Sequence, residues 1–510
     1  MKNLVTSTIF LSLLPFLAIS QNLADNYKIT TYEEFKVKDL ARMRIRFIEN
    51  DFVYFSTGAS SIYLGEAALT LYKKDLGDGK LKSLDVSPKN GIPLDLVNTD
   101  KDLYMVYRTS KGKNMTIWID KVDKATLKFE KNPIELLTIE PEHGSIGRSF
   151  MKRKERLMVY YLEKEKQFRL SFSQTDKEGV SISKVLLFDD NFKLLSEKES
   201  AEVEKVENSR ASFAYTTNNL EIIKVLTNFK EKRSSTADPN RVEINHYTKK
   251  GETPFIYTVN PEGKSYRVHS VSESKNKNEL LITGIYKEIA SEEMGFFKLI
   301  YPMEHEKEKN LKFKLSPIES TFLIDKFDAN DYYHYNYFRK IDMKDNRYLL
   351  VGQQYFHQSY YSSLNNTTTN TFHYACIVVL AFDEEGNLTW KQKIPKYQKT
   401  YGSSDGASFY LEVDSVSGNL TFMFNDNIEN QGKKKLEDLK NGLNTKNQAT
   451  FIVRVDNEGN VTKDVLIEPS KDKYIPLFNN IRQLDDDLFL VFKQRKNNQV
   501  NYKFARIEKL

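Results

Sequence analysis

Eight times along the chain one short phrase recurs: a polar pair, four or five apolar residues, a gap, a second apolar run, then an acidic or glycine-containing turn. The apolar runs open at Phe52, Leu103, Leu157, Leu220, Leu280, Tyr348, Leu420 and Leu488, with successive spacings between 51 and 72 residues. A unit of this size cannot bury its own apolar faces, so neighbouring units must stack and share a core. The runs are short, rich in β-branched and aromatic residues and bounded by turn residues, which marks them as strands. The repeat therefore predicts an all-β chain folded as a single β-propeller of eight four-stranded antiparallel blades. Seven blades is the alternative if one unit is degenerate, and units four and five have the weakest C–D hairpins.

Each unit parses into strands A to D. In the sixth, Tyr335 to Ile341 is A, Tyr348 to Gln354 is B, Ala375 to Phe382 is C and Leu388 to Ile394 is D. The seventh repeats the phrase with Leu420 to Asn425, Thr450 to Val455 and Val461 to Ile467. The C–D turns Asp383-Glu384-Glu385-Gly386-Asn387 and Asp456-Asn457-Glu458-Gly459-Asn460 share one chemistry. Asp accepts from nearby backbone amides and Gly supplies positive φ. Similar turns fall at Asp75 to Gly79, Asp189 to Phe192 and Lys249 to Gly251.

The last unit has A, B and C (Phe478 to Leu484, Leu488 to Phe492, Tyr502 to Ile507) and then the chain ends. Tyr27 to Val37 precedes the first A strand, Arg42 to Ile48, and has no local partner. The economical solution makes that N-terminal segment the outer strand of the last blade, so that the N-terminal strand closes the ring and covers an edge.

Residues 1–20 read as a signal peptide and residues 21–510 as the propeller domain. Lys2 supplies a basic start, Ile9 to Ile19 an apolar stretch, and Ala18 and Ser20 the small residues of a cleavage site before Gln21. No other segment approaches the length of a membrane-spanning helix. A lone cysteine, Cys376, excludes an internal disulfide and suits a small buried apolar role. The net charge of +6 is spread along the chain. Its densest clusters, Lys152-Arg153-Lys154 and Lys232-Arg233, read as solvated turns, so nucleic acid is not an expected partner.

In such a meander, B–C and D–A links emerge on one face. The B–C links are long and unlike one another: Thr57 to Ala68, Glu163 to Val180, Asn228 to Arg241, Gln354 to Tyr374 and Asp426 to Ala449. Long individual loops on a regular scaffold are where binding residues sit. Blade six is densest, with Tyr332, Tyr333 and His334 on its D–A approach and Tyr355, His357, Tyr360, Tyr361, His373 and Tyr374 on its B–C link. Tyrosine and histidine combine flat apolar area with a polar tip, suited to a sugar or peptide surface.

His334, His357 and His373 lack the tight spacing of common metal sites, so no metal is expected. Tyrosine with histidine could serve β-elimination on uronate sugars with Arg339 or Arg347 neutralising a carboxylate, an arrangement several propeller polysaccharide lyases use. The acidic turns lack the remainder of a calcium loop. Lys433 to Gly442 has the pattern of a short helix with Gly442 as C-cap. No nucleophile elbow, P-loop or dinucleotide fingerprint stands in its required context.

Ala381, Asp383, Gly386 and Trp390 resemble the tryptophan-docking repeat of quinoprotein-like eight-bladed propellers. Gly and Trp each fall one residue early, and Trp118 is the only other tryptophan. The docking girdle is missing, so the resemblance implies no quinone cofactor. With Gln21 following the signal and the phrase Ile377 to Trp390, the chain as a whole resembles exported bacterial β-propeller proteins. That resemblance implies a fold and an export route, and no functional residue.

The expectation is an exported binding or scaffold protein, periplasmic or extracellular. Its loop-rich face would hold a glycan or an envelope protein, with no catalytic residue, cofactor or metal assigned. It would act as a monomer or as part of a larger assembly. The runner-up is a polysaccharide lyase or hydrolase with a Tyr/His/Arg site in blade six. A third reading is a structural subunit of an export or motility complex.

Overall fold

The B and C strands carry continuous apolar runs because each blade is pressed between two neighbours and buries both faces of its middle strands. In blade six every residue from Ala375 to Phe382 is buried, whereas the outer strand of blade three, Leu194–Glu199, is almost wholly exposed. The computed structural model describes residues 23–37, 42–58, 69–85, 91–99, 101–111, 114–139, 158–163, 165–175, 181–199, 210–216, 221–227, 242–248, 255–259, 263–273, 279–288, 291, 293–303, 311–319, 322, 334–343, 347–362, 367–401, 407–414, 416–443, 446–469, 474–484, 487–496 and 499–510. Within them the chain forms eight antiparallel sheets in sequence order, each with at least four strands. It is an eight-bladed β-propeller.

The ring closes as the truncated last unit requires. Tyr27–Thr31 pairs antiparallel with the C-terminal strand Gln499–Lys509, from Tyr27 opposite Lys509 to Thr31 opposite Ala505. A short continuation, Phe35–Lys36, pairs with Tyr502 and Asn501 of the same strand. Phe35 is buried at the junction of blades eight and one, its ring centroid 5.4 Å from Phe55, 6.0 Å from Tyr502 and 4.8 Å from Phe504. Among the described residues, apolar clusters of this kind fill the junctions between blades one and two, two and three, four and five, five and six, six and seven, seven and eight, and eight and one.

The C–D turns do a second job at these junctions. In blade six the Asn387 N–H donates to Asp383 Oδ1 at 2.6 Å and Gly386 takes φ +86°. Blade five reaches over to this turn: Lys298 Nζ donates to Glu384 O at 2.8 Å and Ser316 Oγ to Gly386 O at 3.0 Å. Blade six repeats the contact on blade seven through Trp390, whose Nε1–H donates to Asn457 O at 3.0 Å. The φ of +91° at Gly459 favours glycine, and a Cβ there would crowd the Trp390 ring at 3.0 Å. Trp390 thus docks a single neighbouring turn.

Three expectations are corrected. The run opening at Leu157 supplies strand A of blade three, Met158–Leu162, and strand B is Gln167–Thr175, so Glu163 to Val180 is not a B–C loop. Phe168, Leu170 and Phe172 of that strand face the core, a pattern hidden among its polar residues. Gln354 to Tyr374 is strand rather than loop, as described below. Lys433 to Gly442 holds a single 3₁₀ turn, Leu436–Asp438, and Gly442 caps no helix. Instead its N–H donates to Tyr397 O at 2.8 Å, and a Cβ there would lie 2.4 Å from Asp426 Cα. Residues 1–22, Leu157 and Leu220 themselves, both basic clusters, loop residues 59–68 and 228–241 and the turn at 249–251 lie outside the described residues.

Truncating Phe35 to Ala should cost about 3–5 kcal/mol, because it empties an aromatic site at the closure. Lys28→Ala, which removes an exposed ion pair with Glu508, should cost less than about 1 kcal/mol. Denaturant unfolding of both variants checks the order; equal losses would mean that closure does not rest on Phe35.

Candidate functional site

Blade six departs from its neighbours above the level of its own sheet. Strand A stops pairing at His334 opposite Tyr355, and strand D stops at Ile394 opposite Ile377. Strands B (Tyr348–Ser362) and C (Thr367–Phe382) continue together, from Tyr355 opposite Tyr374 to Ser362 opposite Thr367. The segment expected as a B–C loop is therefore a two-stranded arm. Its sequence explains this: Gln353 to Phe382 contains no Gly or Pro and alternates Tyr, Phe, His and Thr, which favour a pleated strand. Bulges at Gln353/Tyr355 and Tyr335/Phe338 mark the base of the arm, where they raise the twist and re-aim it.

Strand alternation divides the candidate residues between two faces. Tyr355, His357, Tyr361, Phe372 and Tyr374 share one face. His357 stacks on Phe372 with centroids 4.7 Å apart, and its Nε2 lies 3.2 Å from Asn370 Oδ1. Phe356, Tyr360 and His373 share the other, where Phe356 and His373 lie 5.6 Å apart. The arm thus brings Tyr355, His357 and Tyr361 onto one surface and sets His373 and Tyr360 behind them. Tyr332 and Tyr333 lie outside the described residues; His334 is placed only by its ladder partner Tyr355.

His373 is fully buried, and its Nδ1 lies 2.9 Å from the Tyr397 hydroxyl. Burial, reinforced by Lys399, lowers its pKa to about 4, so the ring is neutral at physiological pH. Burial pushes Tyr397 up to about 12. A short strand, Gln398–Tyr401, pairs with Thr371 to Tyr374 and braces the arm.

Beneath the arm, between blades six and seven, lies a buried polar network that reading by motif did not find. Lys396 Nζ donates to Gln398 Oε1 at 2.7 Å, and Gln398 Nε2 donates to Asn425 O at 2.6 Å. Asn425 Nδ2 donates to Pro476 O at 2.9 Å, which carries the network to blade eight. Asp426 accepts at Oδ1 from Asn430 Nδ2 at 2.8 Å, and Lys463 Nζ lies 3.9 Å from its Oδ2. That Oδ2 has no hydrogen bond among the described residues. Burial drives both ionisable types toward neutrality: Asp426 is raised to about 6, Lys396 is lowered to about 7, and Lys463 is also lowered. The Lys463 ammonium lies 4.4 Å from the Phe451 centroid and 5.5 Å from that of Phe424. Cys376 is buried in strand C of the same blade as Lys396. Only Asp426 carried a signal by position, at the end of the mostly apolar strand Leu420–Asn427; Lys396 follows a strand that already holds Lys391 and Lys393, and Lys463 stands beside Asp464.

Arg339 stands apart from this network. It pairs with Val351 in the ladder and lines, with Phe409, Tyr410 and Leu411, a cavity of about 210 Å³ between blades six and seven. Among the described residues no three His, Cys, Asp or Glu side chains gather as a metal site.

No family of known proteins matches the chain, and neither does any curated protein. Solved structures similar to it include prolyl oligopeptidase B from Galerina marginata at 8% identity, covering 95% of this chain and 56% of that one, with a TM-score of 0.36. The β-propeller domain of the Trilobed protease from Pyrococcus furiosus aligns at 10% identity over 85% of this chain and 98% of that one, with a TM-score of 0.30. The polysaccharide lyase Uly1 aligns at 9% identity over 94% and 92%, with a TM-score of 0.32. The chain spans little more than half the length of the prolyl peptidases it matches. At such values these likenesses carry no argument about activity.

Asp426→Asn leaves the buried Lys396 and the half-buried Lys463 without a carboxylate and should cost about 3 kcal/mol near pH 7. Lys396 is held below its unfolded value of 10.5, so the unfolded chain binds more protons from about pH 7 to 10.5, and stability from this group rises with pH there. Asp426 is held above 3.8, so its contribution falls as pH rises from about 4 to about 6. Wild type minus a Lys396→Met/Asp426→Asn double variant should therefore show its lowest stability difference between about pH 6 and 7. A flat difference from about pH 4 to 10 would contradict the burial of Lys396 and Asp426.

Proposed function

We propose that this chain is an exported propeller that works by binding, its loop-rich face holding a glycan or a protein partner outside the cytoplasm, with the blade-six arm as the contact. The observation that carries the reading is the arm's exposed aromatic surface. Tyr360, Tyr361 and Tyr401 are exposed by 58%, 66% and 63%. A monomeric surface does not ordinarily expose such rings on both faces of one ribbon without a partner for them. A rigid base supports the arm: the His373–Tyr397 contact, the Gln398–Tyr401 strand and the network below fix it to the ring. Export is supported by the leader-like residues 1–20, and no helix among the described residues is long and apolar enough to cross a membrane.

A Tyr/His/Arg hydrolytic or lyase centre in blade six draws less support. His357 and His373 lie on opposite faces of the arm, and His373 is engaged with Tyr397. Arg339 sits opposite Val351, four residues below Tyr355 and so about 13 Å along the strand.

A glycan array run beside a pull-down from envelope extract tests the reading, with an uronate-depolymerisation assay in parallel. Wild type should retain a ligand or partner, and Tyr360→Ser/Tyr361→Ser should weaken it at least about tenfold with unfolding unchanged. Retention indifferent to that variant, or turnover of an uronate polymer, would overturn it. N-terminal sequencing of protein recovered from outside the cytoplasm should begin at Gln21; an intact Met1 there would remove the export signal.

A further inference from the structure

From Tyr348 to Phe382 the sequence contains no Asp, Glu, Lys or Arg, in a chain that is 29% charged. Half of that run is blade core, where charge is excluded in any case. The arm is not core. Ser359, Tyr360, Tyr361 and Thr367 to Thr369 are exposed. Exposed strands are ordinarily guarded by charge, especially lysine, as Lys391 and Lys393 guard the outer strand of the same blade. Among its described residues the arm exposes only hydroxyl, amide, imidazole and aromatic groups.

Such a surface recognises by ring contact and neutral hydrogen bonds. Tyr360 and Tyr401 fall on one face, separated by Thr369 and Thr371; Tyr361 falls on the other, beside Ser359 and Asn370. Exposed rings flanked by small hydroxyl and amide side chains match a pyranose, which offers an apolar C–H face and a rim of hydroxyls. An anionic polymer makes a different demand. Each carboxylate or sulfate brought against a surface without a cation loses hydration uncompensated. A half-buried cation, Lys399, lies on the bracing strand with its Nζ 5.4 Å from the Tyr401 centroid, outside the arm's own two strands.

We infer that the arm of blade six binds an uncharged polysaccharide in preference to a uronate or sulfated one, an inference that rests on the binding role proposed above. Neutral chemistry on both sides avoids desolvating any unpaired charge, and it makes the interaction insensitive to salt.

Affinity electrophoresis of the full chain tests this, through gels carrying xylan, hydroxyethyl cellulose or galactomannan against gels carrying polygalacturonate, alginate or heparin. At least one neutral gel should retard the protein, with the dissociation constant changing less than about twofold between about 0.05 M and about 0.5 M NaCl. Tyr360→Ser/Tyr401→Ser should raise that constant about tenfold or more without moving the unfolding midpoint. Preference for an anionic gel, fading with salt, would overturn the inference and leave the binding role standing. A protein partner captured through the arm with no gel retarded would do the same. No retardation and no arm-dependent partner would overturn both.

Discussion

The whole ring hangs on one antiparallel pairing between the two ends of the chain. Tyr27–Thr31 lies along the strand Gln499–Lys509, so the chain's most distant segments complete a single sheet. Without it the last blade would expose the edge of a strand whose inner face is packed against Phe489 and Val491. Phe35 turns that hydrogen-bonded closure into a packed one, because it enters the core shared by blades eight and one. Bringing such distant segments together costs chain entropy, but that cost grows only logarithmically with length. Each blade stacked between closed neighbours then buries both faces of its middle strands.

Closure alone would leave adjacent blades free to slide, since apolar contact is not directional. The C–D turns supply direction. Blade five grips the Glu384 and Gly386 carbonyls of blade six through Lys298 and Ser316, and blade six grips Asn457 of blade seven through Trp390. Blade one does the same to blade two, with Lys73 Nζ donating to Lys124 O at 3.0 Å and Lys82 Nζ to Ala125 O at 3.1 Å. The turn sequence therefore serves its own hairpin and also offers carbonyls to the blade before it. These contacts are largely exposed, and their value lies in register more than in energy.

The same physics decides what could be read from the sequence. Blade boundaries, the acidic turns and the closing strand were legible because each follows from a local rule: a buried middle strand, a positive φ, an unpaired edge. Strand D of blade six, Leu388–Ile394, and strand D of blade seven, Val461–Ile467, fell where the turns place them. The arm was misread as loop because polar and aromatic residues are mixed on both of its faces; the aliphatic run ends before Gln353 although pairing continues to Ser362. Blade three was shifted by one strand because Gln167–Thr175 carries its core residues among Ser, Arg and Gln. Lys396, Asp426 and Lys463 escaped notice because charged residues are ordinarily solvated, and only tertiary stacking buries the first two and half-buries the third.

The buried network and the exposed arm are better understood together than apart. A two-stranded ribbon is marginally stable by itself, so an arm that must present rings in a fixed array needs a stiff root. An apolar root would hold it loosely in rotation; hydrogen bonds fix angle as well as distance. Gln398 illustrates the point: its side chain accepts from Lys396 and from the Ser408 N–H and donates to Asn425 O, while its backbone pairs with Tyr374 of the arm. Burying Lys396 and Asp426 to build that root costs solvation, and buried ionic groups often add nothing to stability over apolar residues of the same shape. What the polar version adds is a single orientation. The arm therefore reaches its ligand with little conformational freedom left to lose, which is the condition under which a few exposed rings suffice for affinity.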